Sequence, residues 1–310
     1  MRKLLLTCLL VIQVASLSAT DLLDLRVFPL FDSHKIAFAG VISNSGYKAT
    51  GTGLRAKLSG LRSRWLASST VIVESGMQKI SASIKDGEFS GVMNVASFAS
   101  FTVSVYYDSK KLYQEQFNFP DKADFIVVSD IDDTILVTEV TSRVKMVYNS
   151  LFKDVNKRKP VDGTPEFYRA MSRGETGMGI PHFIYLSSSP AFLSRFLKAF
   201  LVHNNFPPGT LVLKKSLTSG DHGDHKTGWL KEILAKYTDK PLLLFGDSGE
   251  KDPVIYRDFV ESTLKSPVKG IVIHEVASKK DKILSLKIPF IYWSNIEALK
   301  LNMYRNGLLK

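Results

Sequence analysis

Two textures of apolar and polar patterning divide the chain. From about Val27 to Phe119 short runs alternate with a period of two. In 101–107, Phe101, Val103, Val105 and Tyr107 are separated by smaller or more polar residues, the mark of a half-buried strand. KISASI at 79–84 reads the same way, and NSG at 44–46, KDGE at 85–88 and DSKK at 108–111 separate the runs as turns. Several short strands at this spacing predict a small antiparallel β-sandwich. GYKATGTG at 46–53 lacks the strand-then-helix setting of a phosphate loop and reads as a hairpin turn or loop.

Beyond Pro120 the pattern changes. Continuous apolar runs FIVVS (125–129), HFIYLS (182–187), TLVLK (210–214), PLLLFG (241–246) and GIVIHEV (270–276) alternate with segments whose apolar residues recur every three or four positions, notably 191–203 and 226–237. Strands without alternation, separated by helices, imply a parallel sheet covered on both faces, a doubly wound α/β domain. No internal repeat or low-complexity tract interrupts it.

The first residues follow neither pattern. Arg2 and Lys3 precede an apolar run, Leu4 to Ala15, and then small or weakly polar residues to Ala19. The run is shorter than the roughly 20 residues of a spanning helix and reads as a secretory signal peptide, which implies a secreted or periplasmic protein. The expected organisation is therefore 1–19 signal peptide, 20–121 β-sandwich and 122–310 α/β domain. Removing the leader removes Cys8, the only cysteine among 310 residues, so the mature chain has no disulfide. Net charge falls from +11 to +9 with the loss of Arg2 and Lys3, which favours phosphate-bearing or anionic-membrane partners without conferring specificity. Basic runs at 153–159, 214–215 and 279–280 are candidates for peripheral contact with an anionic bilayer. No nucleic-acid partner is expected, and the oligomeric state is not legible.

Candidate chemistry collects where the apolar runs end. The first finishes in SDIDDT (129–134), the second in SSSP (187–190) and the fourth in GDSGEKD (246–252), while DHK (224–226) opens the helix before the fourth. Ligands of a doubly wound sheet sit beyond the carboxyl ends of its strands, so these clusters converge on one rim. Asp130, Asp132 and Asp133 crowd three carboxylates into four positions, and like charges that close require that one be protonated or neutralised by a cation. Hard oxygen ligands such as Asp130 and Asp247 suit Mg²⁺. The cation also lets an anionic phosphate approach an anionic nucleophile, since unit charges a few ångströms apart interact by about 4 kcal/mol at a dielectric near 20. Taken singly, Asp-x-Asp reads as a turn or cap and SSSP as a helix start. GDHGDHK (220–226) reads as a loop positioning Lys226, ahead of a transition-metal site at His222 and His225.

In these four motifs, in this order, the chain resembles the haloacid dehalogenase superfamily of phosphotransferases. The resemblance implies a haloacid-dehalogenase-like catalytic domain in which Asp130 attacks phosphorus to form an aspartyl-phosphate and Asp132 acts as general acid and then base. It implies Ser187 and Lys226 as phosphate ligands, and a Mg²⁺ site drawn from Asp130, Asp132, Asp247 and Asp252. KMVYNSLFKD (145–154), GTPEFYR (163–169), FPPGTLVLK (206–214), HKTGWLKEIL (225–234) and LFGDSGEKDPVIYRDF (244–259) further resemble the phosphatidate phosphatase family named after actin-patch proteins, over most of 124–276. That family's second motif has Asn where Ser188 stands, which makes Ser188 a candidate substrate contact, and Trp where Ala191 stands. The segment before the catalytic region resembles, more weakly, the β domain of some bacterial members.

Only 39 positions separate Ser187 from Lys226, filled by a helix, a strand and a loop, which leaves no room for a large cap. The interval from Thr134 to His182 holds a helical pattern and the loop SRGETGMGIP (172–181), enough for a flap. An open site suits a phosphate carried on something bulky. The reading favoured is Mg²⁺-dependent hydrolysis of phosphatidate to diacylglycerol. The alternatives are a phosphatase of nucleotides or other soluble monoesters, and a non-catalytic surface-binding protein.

Overall fold

The computed structural model describes residues 20–43, 68–138, 158–215, 222–263, 267–276 and 286–310. The signal peptide, the GYKATGTG segment, most of the 153–159 basic run and Lys279–Lys280 lie outside the described residues.

Seven strands pair antiparallel: β1 (Asp21–Leu30), β2 (Lys35–Ser43), β3 (Ser68–Ser75), β4 (Gln78–Lys85), β5 (Glu88–Asn94), β6 (Phe101–Tyr107) and β7 (Lys110–Phe117), in the spatial order β1-β2-β5-β4-β3-β6-β7. KDGE and DSKK become two-residue hairpin turns with both central residues left-handed, Asp86 and Gly87 at φ 50 and 76°, Asp108 and Ser109 at φ 47 and 61°. That conformation matches the twist of the flanking strands. The two-sheet sandwich is corrected to one sheet. It curls until its edge strands β1 and β7 meet, and its inner face closes on Val27, Phe38, Val73, Phe89, Val103 and Phe117. Alternation marks which side of each strand is buried; it does not say whether the buried side faces a second sheet or the far side of the same one.

The second sheet is parallel. It comprises β8 (Phe125–Ser129), β9 (Pro181–Pro190), β10 (Gly209–Lys214), β11 (Leu242–Asp247), β12 (Val268–His274) and β13 (Phe290–Trp293), ordered β10-β9-β8-β11-β12-β13. The helices are α1 (Thr164–Ser172), α2 (Ser194–His203), α3 (His222–Lys236), α4 (Asp252–Ser262) and α5 (Ile296–Arg305). Both faces are covered. Phe125 and Val127 pack with Tyr168 of α1, Phe200 of α2 and Leu299 of α5, while Ile126 and Val128 pack with Ile233 of α3 and Phe259 of α4. All five expected strands are present; β13 was missed because FIYW is a four-residue edge strand with no periodicity to read. The chain reverses its direction of winding between β8 and β11, the switch point at which doubly wound sheets bind ligands.

Of the 134–182 interval expected to supply a flap, residues 139–157 lie outside the described residues, and the loop SRGETGMGIP lies away from the carboxyl ends of the strands. Ile180 accepts a backbone hydrogen bond from Asp124 and donates one to the Asp124 carboxylate, both 2.8 Å, at the amino end of β8. Three glycines with positive φ, Gly174, Gly177 and Gly179, shape this loop. Lys214–Lys215 does not form a membrane-facing pair: Lys214 is buried, and Lys215 pairs with Glu88 of the antiparallel sheet at 3.5 Å.

Candidate active site

The β8 segment FIVVS is buried on both faces, so its end brings Asp130 to the rim with only 1% of its surface exposed. The Asp130 amide donates to the Phe245 carbonyl at 2.9 Å and locks the residue beside β11. Asp247 ends β11 and Asp252 opens α4, both fully buried. Gly246 is the residue that allows this: a Cβ there would lie 2.5 Å from the Asp252 carboxylate. One oxygen from each of Asp130, Asp247 and Asp252 falls within 4.8 Å of the others.

Lys226 of α3 reaches into this group. Its ammonium lies 2.9 Å from Asp130, in contact with Asp252, and 3.7 Å from Glu250. Burial works against its charge, but the carboxylates of Asp130 and Asp252 hold it well above the ordinary lysine range. A single ammonium does not neutralise the set. Burial pushes Asp130 well above the usual carboxylate range despite Lys226, and burial together with Asp252 pushes Asp247 up to about 8. Asp247 Oδ1 and Asp252 Oδ2 are buried without a hydrogen-bond partner among the described residues. Crowded hard oxygens with spare lone pairs and excess negative charge fit a divalent cation.

Asp132 faces the other way. Its Oδ2 accepts hydrogen bonds from the hydroxyls of Ser187 and Ser189, each at 3.2 Å. Burial and the charge of Glu250 push its carboxyl up to about 6, against the two serine bonds. Asp133 serves the turn. At φ 55° it is left-handed, its carboxylate accepts from the Thr138 amide at 2.9 Å, and its carbonyl bonds His274 Nδ1 at 2.6 Å. The three acidic residues of the opening run therefore have three separate settings.

The second motif is held as strand. β9 continues through Pro190, and the SSSP segment does not start α2, which begins only after a 3₁₀ turn at Ala191–Leu193. Ser188 Oγ is buried without a partner among the described residues, which leaves its hydroxyl able to meet a ligand. His225 Nε2 bonds the Ser187 carbonyl at 3.3 Å, and burial, then nearby cations, lower its pKa to about 4. The imidazole is neutral there and unsuited to carrying a charge.

Thus Asp130, Asp247 and Asp252 cluster, Lys226 contacts Asp130 and Asp252, Asp132 contacts Ser187, and Ser188 stands beside them. Sequence reasoning missed Glu250, Ser189, His225 as a support of the end of β9, and the hydrogen bond between the Tyr168 and Ser129 hydroxyls at 2.9 Å beneath Asp130. Glu250 and Ser189 lay inside quoted motifs; Tyr168 carried no signal.

The raised carboxyls make a pH prediction. Asp247 titrates near 8 in the folded, cation-free site against an ordinary 3.8, so its proton stabilises the fold below about pH 4 and that contribution is lost as pH rises through 8. A divalent cation must displace such protons, so affinity should strengthen with pH, by up to about tenfold per unit for each proton released. Calorimetric Mg²⁺ titrations at pH 7 in buffers of different ionisation enthalpy should give different heats. Equal heats would contradict proton release.

Comparison with known proteins agrees with this geometry. Residues 125–275 match the family described as phosphatidate phosphatase APP1, catalytic domain. The chain is 31% identical over 136 residues to phosphatidate phosphatase APP1 of Saccharomyces cerevisiae, covering 42% of this chain. An uncharacterized protein of Schizosaccharomyces pombe is 24% identical over 174 residues, or 54% of this chain. The matches span 22% and 28% of those two relatives' lengths. Residues 125–275, which contain every side chain of the site, are thus similar to the catalytic domain of phosphatidate phosphatase APP1.

Proposed function

We propose that the protein is a Mg²⁺-dependent phosphomonoesterase of the haloacid-dehalogenase type, acting through an aspartyl-phosphate and hydrolysing phosphatidate to diacylglycerol and phosphate. The observation that carries the reading is the buried Asp130, paired with Lys226 at the switch point, with the protonatable Asp132 held separately two residues on. The similarity to the yeast phosphatidate phosphatase supports the substrate class.

In this mechanism a carboxylate oxygen of Asp130 attacks phosphorus as the bond to the leaving oxygen breaks. Asp132 gives that oxygen its proton. Its raised pKa, about 6, suits a group that must hold a proton and then lose it. Ionised Asp132 next takes a proton from water, which attacks the acyl-phosphate, releases phosphate and restores Asp130. Ser187 and Ser189 aim the Asp132 carboxyl, Lys226 offsets charge on Asp130 and the phosphoryl group, and Ser188 offers a further hydroxyl. Asp130, Asp247 and Asp252 would hold the cation, which when bound supplies positive charge for phosphate to approach a carboxylate.

The test is phosphate release with Mg²⁺ or EDTA, comparing short-chain phosphatidate in mixed micelles with nucleotides and sugar phosphates. Release strongest on phosphatidate and abolished by EDTA is expected. Release only from soluble monoesters removes the lipid assignment, and release undiminished by EDTA removes the metal. Asp132→Asn should lower turnover by about 10²- to 10⁴-fold, the usual contribution of a positioned acid or base. The loss should be smaller for an activated ester such as p-nitrophenyl phosphate, whose leaving group needs no proton. Equal losses on both esters would contradict the acid role.

A further inference from the structure

Strand β1 carries a β-bulge where it meets the second motif. Leu22 pairs with Ile42 and Asp24 with Val41, leaving Leu23 as the extra residue. Alternation breaks there: Leu22 and Leu25 face the closed core of the antiparallel sheet, whereas Leu23 and Asp24 both turn outward. Leu23 packs on Ala191 and Phe192, and Asp24 accepts a hydrogen bond from Ser194 Oγ at 2.7 Å. These contacts fall directly after Ser187–Pro190. Re-aiming a side chain is what a bulge does.

Asp24 is 2% exposed, and its second partner is Arg26 at 3.4 Å. The Arg26 guanidinium lies 5.1 Å from the ring centroid of Trp229, which sits one turn after Lys226 on α3. So two outward residues of one strand touch the first residue of α2, four positions beyond the end of β9, and the helix α3 that carries Lys226. A buried ion pair adds little net stability, because desolvation offsets its attraction, and apolar residues would glue the sheets together as well. What the hydrogen bond from Ser194 to a buried, ion-paired Asp24 adds is direction.

We propose that Asp24 and Arg26 are positioning residues: wedged between the start of α2 and the first turns of α3, they fix the separation of Ser187–Ser189 from Lys226, so the antiparallel sheet is part of the working site. The kinetic arm of the test rests on the phosphatase reading; the exchange arm does not.

The experiment uses the full chain with Asp24→Ala, Asp24→Asn, Ser194→Ala and, as control, Glu115→Gln. Glu115 ties β7 to α2 through Lys198 at 2.6 Å, in the same interface but away from Ser187–Ser194. Asp24→Ala should lower kcat by about tenfold with KM within about twofold, because misplaced groups cost turnover more than binding. Amide exchange of segments 187–194 and 225–229 should rise about tenfold while that of β11 is unchanged, a local loosening. Asp24→Asn keeps an acceptor for Ser194 and should remain within about threefold of wild type. Glu115→Gln should change neither kcat nor exchange in the two segments. If Asp24→Ala does not fold, Ser194→Ala takes its place, with the same pattern expected. A folded variant with wild-type kcat and exchange overturns the proposal, as does a control that loses as much. If the wild-type protein releases no phosphate, the phosphatase reading fails by itself and the exchange pattern alone decides.

Discussion

Asp130→Asn is expected to lower phosphate release by about a thousandfold or more while the protein stays folded, the behaviour of a residue that itself forms the covalent intermediate. The amide fits the carboxylate's space but its oxygen is a poor nucleophile. Folding should survive because burial already pushes Asp130 toward its neutral form in the cation-free site, so a neutral side chain relieves crowding. Lys226 keeps a buried partner in Asp252. Thermal unfolding in EDTA should therefore show the variant as stable as wild type or more so. Turnover retained within tenfold would remove Asp130 as nucleophile, whereas a collapsed fold would show that its charge is needed for structure.

Lys226→Met carries the other large effect, and here chemistry and stability fall together. The ammonium is 1% exposed and lies among Asp130, Glu250 and Asp252. Removing one member of a buried ion pair typically costs about 3–5 kcal/mol, because the remaining charges have lost their compensation. The variant should lose that much stability in EDTA and recover part of it with Mg²⁺, which supplies the missing positive charge. Turnover should stay at least about a hundredfold down even with saturating Mg²⁺, since the cation does not replace the donor aimed at the phosphoryl oxygens. Chemical denaturation with and without Mg²⁺, beside kinetics, checks both parts. A fully stable variant in EDTA would contradict the electrostatic account of the site.

The parallel sheet was legible because five of its strands are continuously apolar runs and three of these end in a polar cluster. FIVVS, followed at once by SDIDDT, leaves little choice of register. The antiparallel part was legible strand by strand but not in its closure, because period-two patterning is silent on what the buried face meets. The loop at 172–181 shows a similar gap. Its glycines announce irregular backbone, but only the bond between Asp124 and Ile180 says that it lies at the far end of β8. Within the site, hard oxygen chemistry identified the acidic residues. What could not be read was division of labour: Asp132 turned toward two serines, Asp133 closing a turn, and Glu250 close enough to Asp132 and Lys226 to shift their titration. Contacts between β1 and α2 join residues about 170 positions apart, beyond any local pattern.

The central claim is that Asp130 carries the phosphoryl group. Its most direct test is rapid acid quenching of the protein during turnover of a phosphomonoester with Mg²⁺, followed by borohydride reduction and peptide mass spectrometry. An acyl-phosphate at Asp130 is reduced to homoserine, so the account predicts conversion at that position alone, in wild-type protein and, with p-nitrophenyl phosphate as substrate, in an Asp132→Asn variant that accumulates the intermediate. Steady phosphate release with Asp130 unmodified in both proteins would contradict it and point to direct attack by water.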